Sequence, residues 1–247
     1  MQNRREFHTR LLGSLMTFGL VETLWQRDLF ADAVKPTIQK WFGELSTLCL
    51  DLKGKKLTDL DFQKKMEDLY KRVDLKELCS LVKLDEIEKK KLPANGASST
   101  GFDLGMIEGL PKNVGFGKQI FGCGKGRSIV PHGHANMCTG FIVLKGKWHG
   151  RHYDKLESNK DHFLIKPTID KMFEPGELST ISDHKDNIHW FQCQSDAGYV
   201  FNVHVTDYIA GGESSGRLYL DPDGEKVNGG LIKAPKMTSG ECHKKYG

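Results

Sequence analysis

Between Phe116 and Thr206 the apolar residues arrive in short blocks, and each block is closed by glycine, proline or a small polar pair. A helix needs ten or more residues of sustained 3.6-residue periodicity, which these blocks do not supply. Runs of four to eight residues between turn signals fit strands instead. The blocks fall at 116–121, 128–131, 138–144, 147–153, 178–181, 189–193 and 199–206. The breaks between them include Gly122-Cys123-Gly124, Lys145-Gly146, Glu174-Pro175-Gly176 and Ser195-Asp196. Many short strands joined by turns predict a mainly β domain that closes as a sandwich or barrel.

The preceding residues follow a different period. Ile38, Trp41, Phe42, Leu45 and Leu48 recur at spacings of three and four, as do Leu60, Met66, Leu69 and Val73, with Thr58 and Asp59 as N-cap candidates. Leu75, Leu78, Leu81 and Val82 mark a third helix, expected to run on through the charged stretch that follows. Helices this short are marginal alone and need a surface to pack on, which the sheet supplies. The small-residue stretch Pro93–Gly101 separates the two regions. The expected organisation is therefore a helical segment over 34–95 and a β domain over 96–247, after a leader of 33 residues.

That leader holds Arg4-Arg5 with Phe7 close behind, an apolar stretch from Leu11 to Leu24, and the small-x-small site Ala31-Asp32-Ala33. It resembles a twin-arginine export signal, which implies a periplasmic or other extracytoplasmic destination for a chain exported already folded. Glu22, Arg27 and Asp28 interrupt the pattern and leave open a cytoplasmic protein with an amphipathic N-terminal helix. Either way the apolar stretch is too short for stable membrane insertion.

Composition narrows the class further. With 28% charged and 38% apolar residues the chain reads as soluble and globular. Its net charge of +4 is spread out: Lys89-Lys90-Lys91 sits beside Glu86 and Glu88, a solvated helix face and not a nucleic-acid footprint. The six cysteines form no CxxC pair, so a zinc ribbon or thioredoxin motif is not expected, and Cys193 reads as a core thiol. The segment from Gly115 to Gly126 lacks P-loop spacing, and Asp221, Asp223 and Glu225 lack the rest of a calcium loop and read as a surface turn.

The chemistry concentrates in 126–146. His132 and His134 stand two apart and so share one strand face, where two imidazoles can aim at one metal ion. Gly126, His132-x-His134 and Gly146 have the spacing of the first cupin motif, G-x5-H-x-H-x3,4-E-x6-G, except at the glutamate. That slot holds Thr139, with Cys138 beside it. The chain thus resembles the cupin superfamily, a resemblance that implies a double-stranded β-helix (a jelly-roll barrel), here preceded by short α-helices. The second cupin motif supplies a further histidine. His184 and His189 are the candidates, and His189 is preferred because it opens the apolar run Ile188–Phe191 while His184 lies in a charged turn.

Three histidines without a carboxylate resemble the thiol dioxygenase branch: cysteine dioxygenase, cysteamine dioxygenase and the plant cysteine oxidases. The resemblance spans roughly 116–208. It implies Fe(II) held by His132, His134 and His189, with a small thiol and O2 as partners in the reaction. It also implies a catalytic histidine fifteen residues after the third ligand, where His204 stands, and a nearby tyrosine, for which Tyr208 is the candidate. The cysteine and tyrosine that are crosslinked in cysteine dioxygenase fall here on Thr139 and Thr206, so no crosslink is expected from Cys138 and Tyr208. No arginine lies between Arg72 and Arg127 to anchor a cysteine carboxylate, which puts cysteine itself in doubt. Arg151 and Tyr153 either line the cavity with Cys138 and Thr139 as substrate-binding residues or form an outward-facing pair. The leading expectation is a ferrous thiol dioxygenase. The alternatives are a dioxygenase of another enolisable substrate and a non-catalytic cupin that binds a metal or small molecule.

Overall fold

The computed structural model describes residues 37–105 and 107–247. The leader with its twin-arginine motif lies outside them. Thr37–Gly247 forms one compact unit, so the helices and the β domain share a body.

Helix α1 (Ile38–Lys53) starts at Thr37, whose hydroxyl accepts from the Lys40 amide, and stops at Gly54. Helix α2 (Asp59–Lys71) is capped in the same way by Thr58. The third expected helix is two: α3 (Leu75–Leu81) and α4 (Leu84–Glu88), broken at Lys83, which takes φ 53°. The reason is burial. Continuing the α3 face beyond Val82 would turn Asp85, Glu86 and Lys89 toward the core, whereas the break turns Leu84 and Ile87 inward.

Twelve strands follow: β1 (Ser98–Thr100), β2 (Gly117–Gly124), β3 (Ser128–Ala135), β4 (Met137–Lys145), β5 (Trp148–Ser158), β6 (His162–Phe173), β7 (Leu178–Ile181), β8 (Ile188–Cys193), β9 (Ala197–Thr206), β10 (Ser215–Tyr219), β11 (Glu225–Val227) and β12 (Leu231–Pro235). Helix α5 (Ser239–Tyr246) closes the chain. Their pairing gives two antiparallel sheets, β1-β2-β9-β4-β7 and β10-β3-β8-β5-β6-β12-β11. The eight strands β2 to β9 alternate between the sheets as 2-9-4-7 and 3-8-5-6, which is jelly-roll order. The fold is mainly β, a double-stranded β-helix of the cupin type with short helices before it.

The five-stranded sheet is buried on both faces, which is why β4 reads as a nearly unbroken apolar run. Phe141 and Val143 point into the barrel with Phe121, Trp148, Phe191 and Val200. Ile142 and Leu144 point outward, with Phe201, Val203 and Val205, onto Trp41, Phe42, Leu45, Met66 and Tyr70 of α1 and α2. The Trp41 indole donates to the Leu69 carbonyl at 2.9 Å and so ties the two helices together. Gly140 lies between these layers, where a Cβ would sit 2.2 Å from Met66 Sδ.

The sequence reading did not anticipate β1, β6, β10, β11, β12 or α5. β6 carries Pro167 at a register shift opposite Tyr153, the kind of position at which a sheet tolerates proline. The Asp221–Glu225 segment is more than a surface turn: the Tyr246 hydroxyl shares its one proton between the carboxylates of Asp221 and Asp223, pinning α5 to the β10–β11 connection.

Candidate metal centre

His132 and His134 lie on β3 and His189 on the adjacent β8, with His132 directly opposite His189 in the register. One extra residue between Ile129 and His132 shifts that register, and such bulges re-aim side chains. The histidine pair thereby turns into the barrel beside His189. Gly133 between them is required by space: a Cβ there would meet Asn187 Oδ1 and Ile188 Cγ1 at 2.9 Å. Asn187 in turn donates to the His134 carbonyl at 3.0 Å and fixes the strand.

The three rings form a compact group. Centroids are 4.8 Å apart for His132 and His134, 4.2 Å for His132 and His189, and 5.6 Å for His134 and His189. One ligating nitrogen from each lies within 4.8 Å of the other two. All three residues are at least 93% buried. Burial is the main reason that His132 and His189 have pKa values well below the usual range and that His134 is pushed down to about 3, with Arg217 and neighbouring histidines adding to it. The rings are therefore neutral at pH 7, the form in which imidazole binds metals. His132 Nδ1 sits 2.7 Å from the Val130 carbonyl, which fixes Nδ1 as its protonated nitrogen and leaves Nε2 free to ligate. Among the described residues, His134 Nδ1 and His189 Nδ1 are buried without a hydrogen-bond partner. Three neutral, converging imidazoles with unspent nitrogens fit a single divalent cation of the iron, zinc or copper kind.

The rings open onto a cavity of about 250 Å³. Thr139, in the position of the absent glutamate, is part of its wall, as are Met137, Phe121 and Phe141. His204 is there too, with Nδ1 3.4 Å from Asn202 Oδ1, and Gln119 donates to the same oxygen at 3.1 Å. The His204 ring lies over Gly117, its partner across β2 and β9, where a Cβ would come within 2.2 Å of Nε2. Burial, then Arg217, lowers the His204 pKa.

The other expected positions lie elsewhere. Arg151 and Tyr153 do not reach the cavity. The inward residue of that strand is His152, fully buried between them and opposite His189. Of the two arrangements open to Arg151 and Tyr153, the strand takes the one that turns them away from the cavity, since neighbouring residues of a strand face opposite sides. Arg151 instead stacks on Trp190 at 4.0 Å, and Tyr153 packs with Phe163, Ile188 and Leu220. Cys138 alternates with Thr139 and so faces the helices. Tyr208 shares that outer cluster and donates to Asp183 at 2.8 Å, away from the rings. These corrections remove Arg151, Tyr153, Cys138 and Tyr208 from the cavity wall. His184 pairs with Asp59 at 2.8 Å and its side chain is largely exposed, as its place in a charged turn implies.

Arg217 is the charged wall residue that sequence reasoning missed. It lies on β10, where an extra residue between Ser215 and Leu218 breaks the register with β3 and turns the side chain to the cavity mouth over Phe121. No local pattern marks such a bulge. His152 was also missed, with Nε2 3.0 Å from Ser179 Oγ and a pKa pushed down to about 3 by burial and then by nearby lysines.

No family model and no curated protein sequence matches the chain. Solved structures with a similar backbone include a recombinant oxalate oxidase in complex with glycolate, at 17% identity and TM-score 0.36, covering 51% of this chain and 56% of that one. A protein with a double-stranded β-helix domain from Klebsiella pneumoniae matches at 10% identity and TM-score 0.34, over 49% of this chain and 80% of that one. The Cnp3 cupin domain of Schizosaccharomyces pombe matches at 10% and 0.33, over 49% and 72%. The chain thus spans little more than half the length of the oxalate oxidase. Likenesses this distant carry nothing about chemistry, which rests on the residues of the site.

Proposed function

We propose that this chain is a mononuclear iron enzyme that oxidises a small thiol to a sulfinate with O2, RSH + O2 → RSO2H. The observation that carries the reading is the donor set: three buried neutral imidazoles and, on the cavity wall, a threonine where a carboxylate ligand would stand. Held by His132, His134 and His189, a ferrous ion would keep its full +2 charge and so favour an anionic thiolate and supply the redox partner for O2. The protein's own part is to bind and to exclude water. Phe121, Phe141 and Met137 give the thiol an apolar approach. His204, oriented through Nδ1 by Asn202, is the wall group that accepts the thiol proton. Thr139 and Gln119 provide neutral hydrogen-bonding groups that do not compete for the cation.

Elemental analysis of protein purified without oxygen, followed by oxygen-electrode assays over a thiol panel, tests this. The expected result is about one iron per chain and oxygen uptake with some thiols, both lost in His134→Ala. Stoichiometric zinc without oxygen uptake would remove the enzyme reading. We further propose export through the twin-arginine route. All six cysteines are free, so the fold does not depend on an oxidising compartment, and an already folded chain can carry its metal across. Replacing Arg4 and Arg5 with lysines should hold the protein in the cytoplasm; unchanged distribution would refute export.

A further inference from the structure

The three-histidine cavity is not the end of the hollow. Arg217 also lines a second groove of about 660 Å³, with Lys155, Lys236 and Tyr219 along it. Two of these cations are unspent: neither Arg217 nor Lys155 makes an ion pair among the described residues, and Arg217 rests only on the Phe121 ring at 5.6 Å. Lys155 is half-buried, a costly place for an ammonium, and the carboxylate that bears on it, Asp183, makes no direct ion pair with it. Lys236 donates to neutral oxygens, Ser158 Oγ at 3.3 Å and the Asn159 carbonyl at 2.5 Å, and makes no direct ion pair among the described residues. The single carboxylate on the groove is that of Glu213. Arg217 and Lys155 both bear electrostatically on His134, so the groove's positive end abuts the metal centre.

We infer that this groove is the binding site for the anionic tail of an extended ligand, a carboxylate or phosphate, whose other end reaches His132, His134 and His189. The guanidinium of Arg217 stands at the junction and offers a planar fork to an oxyanion, and Lys155 supplies a point charge further along. A small uncharged thiol would leave both cations unpaired, whereas a chain of several bonds ending in an anion fills both spaces. The inference rests on the thiol reading for the reacting end alone; the tail site stands on the groove.

The test is anaerobic calorimetry of the metal-loaded protein with 6-mercaptohexanoate and 6-mercaptohexanol, which differ at the distal group. 6-Mercaptohexyl phosphate distinguishes phosphate from carboxylate. The anionic thiols should bind at least tenfold more tightly than the alcohol. Arg217→Gln and Lys155→Gln should each cut that preference and together abolish it, with metal content unchanged, while Arg217→Lys retains part. Equal binding of alcohol and anions, or a preference that survives in the double variant, overturns the proposal. Oxygen consumption is measured in parallel. Uptake without any anionic preference removes the tail site and leaves the thiol reading. Preference without uptake upholds the tail site and removes the thiol reading.

Discussion

Gly140→Ala tests how tightly the helices are seated on the barrel. Gly140 is on the outer face of β4, and a Cβ there would lie 2.2 Å from Met66 Sδ and 3.1 Å from the Tyr70 ring and hydroxyl. Ordinary contact is about 3.7 Å, so Met66 must retreat by roughly 1.5 Å. It has no room: Met66 and Tyr70 are buried against Trp41 and Phe201. Overpacking of this kind costs about 1–3 kcal/mol, and with two neighbours displaced the upper half of that range applies. For a domain of this size each kcal/mol lowers Tm by about 2–4 °C, so thermal unfolding followed by circular dichroism should show a drop of about 4–12 °C. Met66→Ala alone should cost about 2–5 kcal/mol as a cavity. In the double variant the new methyl occupies part of that cavity, and the combined loss should fall short of the sum by at least about 1 kcal/mol. A Gly140→Ala change within about 0.5 kcal/mol of the parent, or strict additivity in the cycle, would refute this packing. Metal content is the internal control, because Gly140 faces away from the histidines.

Three further outcomes are expected. Adding the metal at about 100 times its Kd should stabilise the apo protein by about 2.7 kcal/mol, and His189→Ala should abolish the shift in a thermal melt. Gly133→Ala should weaken metal binding in a chelator competition, because its Cβ collides with Asn187 and Ile188 and displaces both histidines of β3. Burial raises the Asp186 pKa on folding, so the native state holds its proton more firmly and stability falls as pH rises through the native pKa. Asp186→Asn, which also tolerates the φ of 54° found there, should therefore be more stable than the parent at pH 7 in urea titrations, with the gap closing toward acid pH.

Much of the barrel was legible because its signals are local. The apolar runs defined β4, β7 and β8 to within a residue, whereas Gly122-Cys123-Gly124, expected as a break, belongs to β2, and β3 and β5 run on past their expected ends; the spacing from Gly126 to Gly146 located the histidine pair. What failed depended on partners distant in sequence. The face of β5 is set by His189 across the sheet, and Arg217 reaches the cavity through a bulge that only pairing with β3 reveals. α5 was legible and overlooked: Thr238 and Glu241 form a capping box.

The placement of Arg217 divides the cavity by how readily it can change. The metal-site histidines sit on β3 and β8, inside the seven-stranded sheet and flanked by paired strands, whereas Arg217 sits on β10 at its edge. Substitutions on an edge strand disturb one neighbour instead of two. Sequence change on β10 can therefore reshape the cavity mouth while the three histidines stay fixed in strands where variation costs more stability.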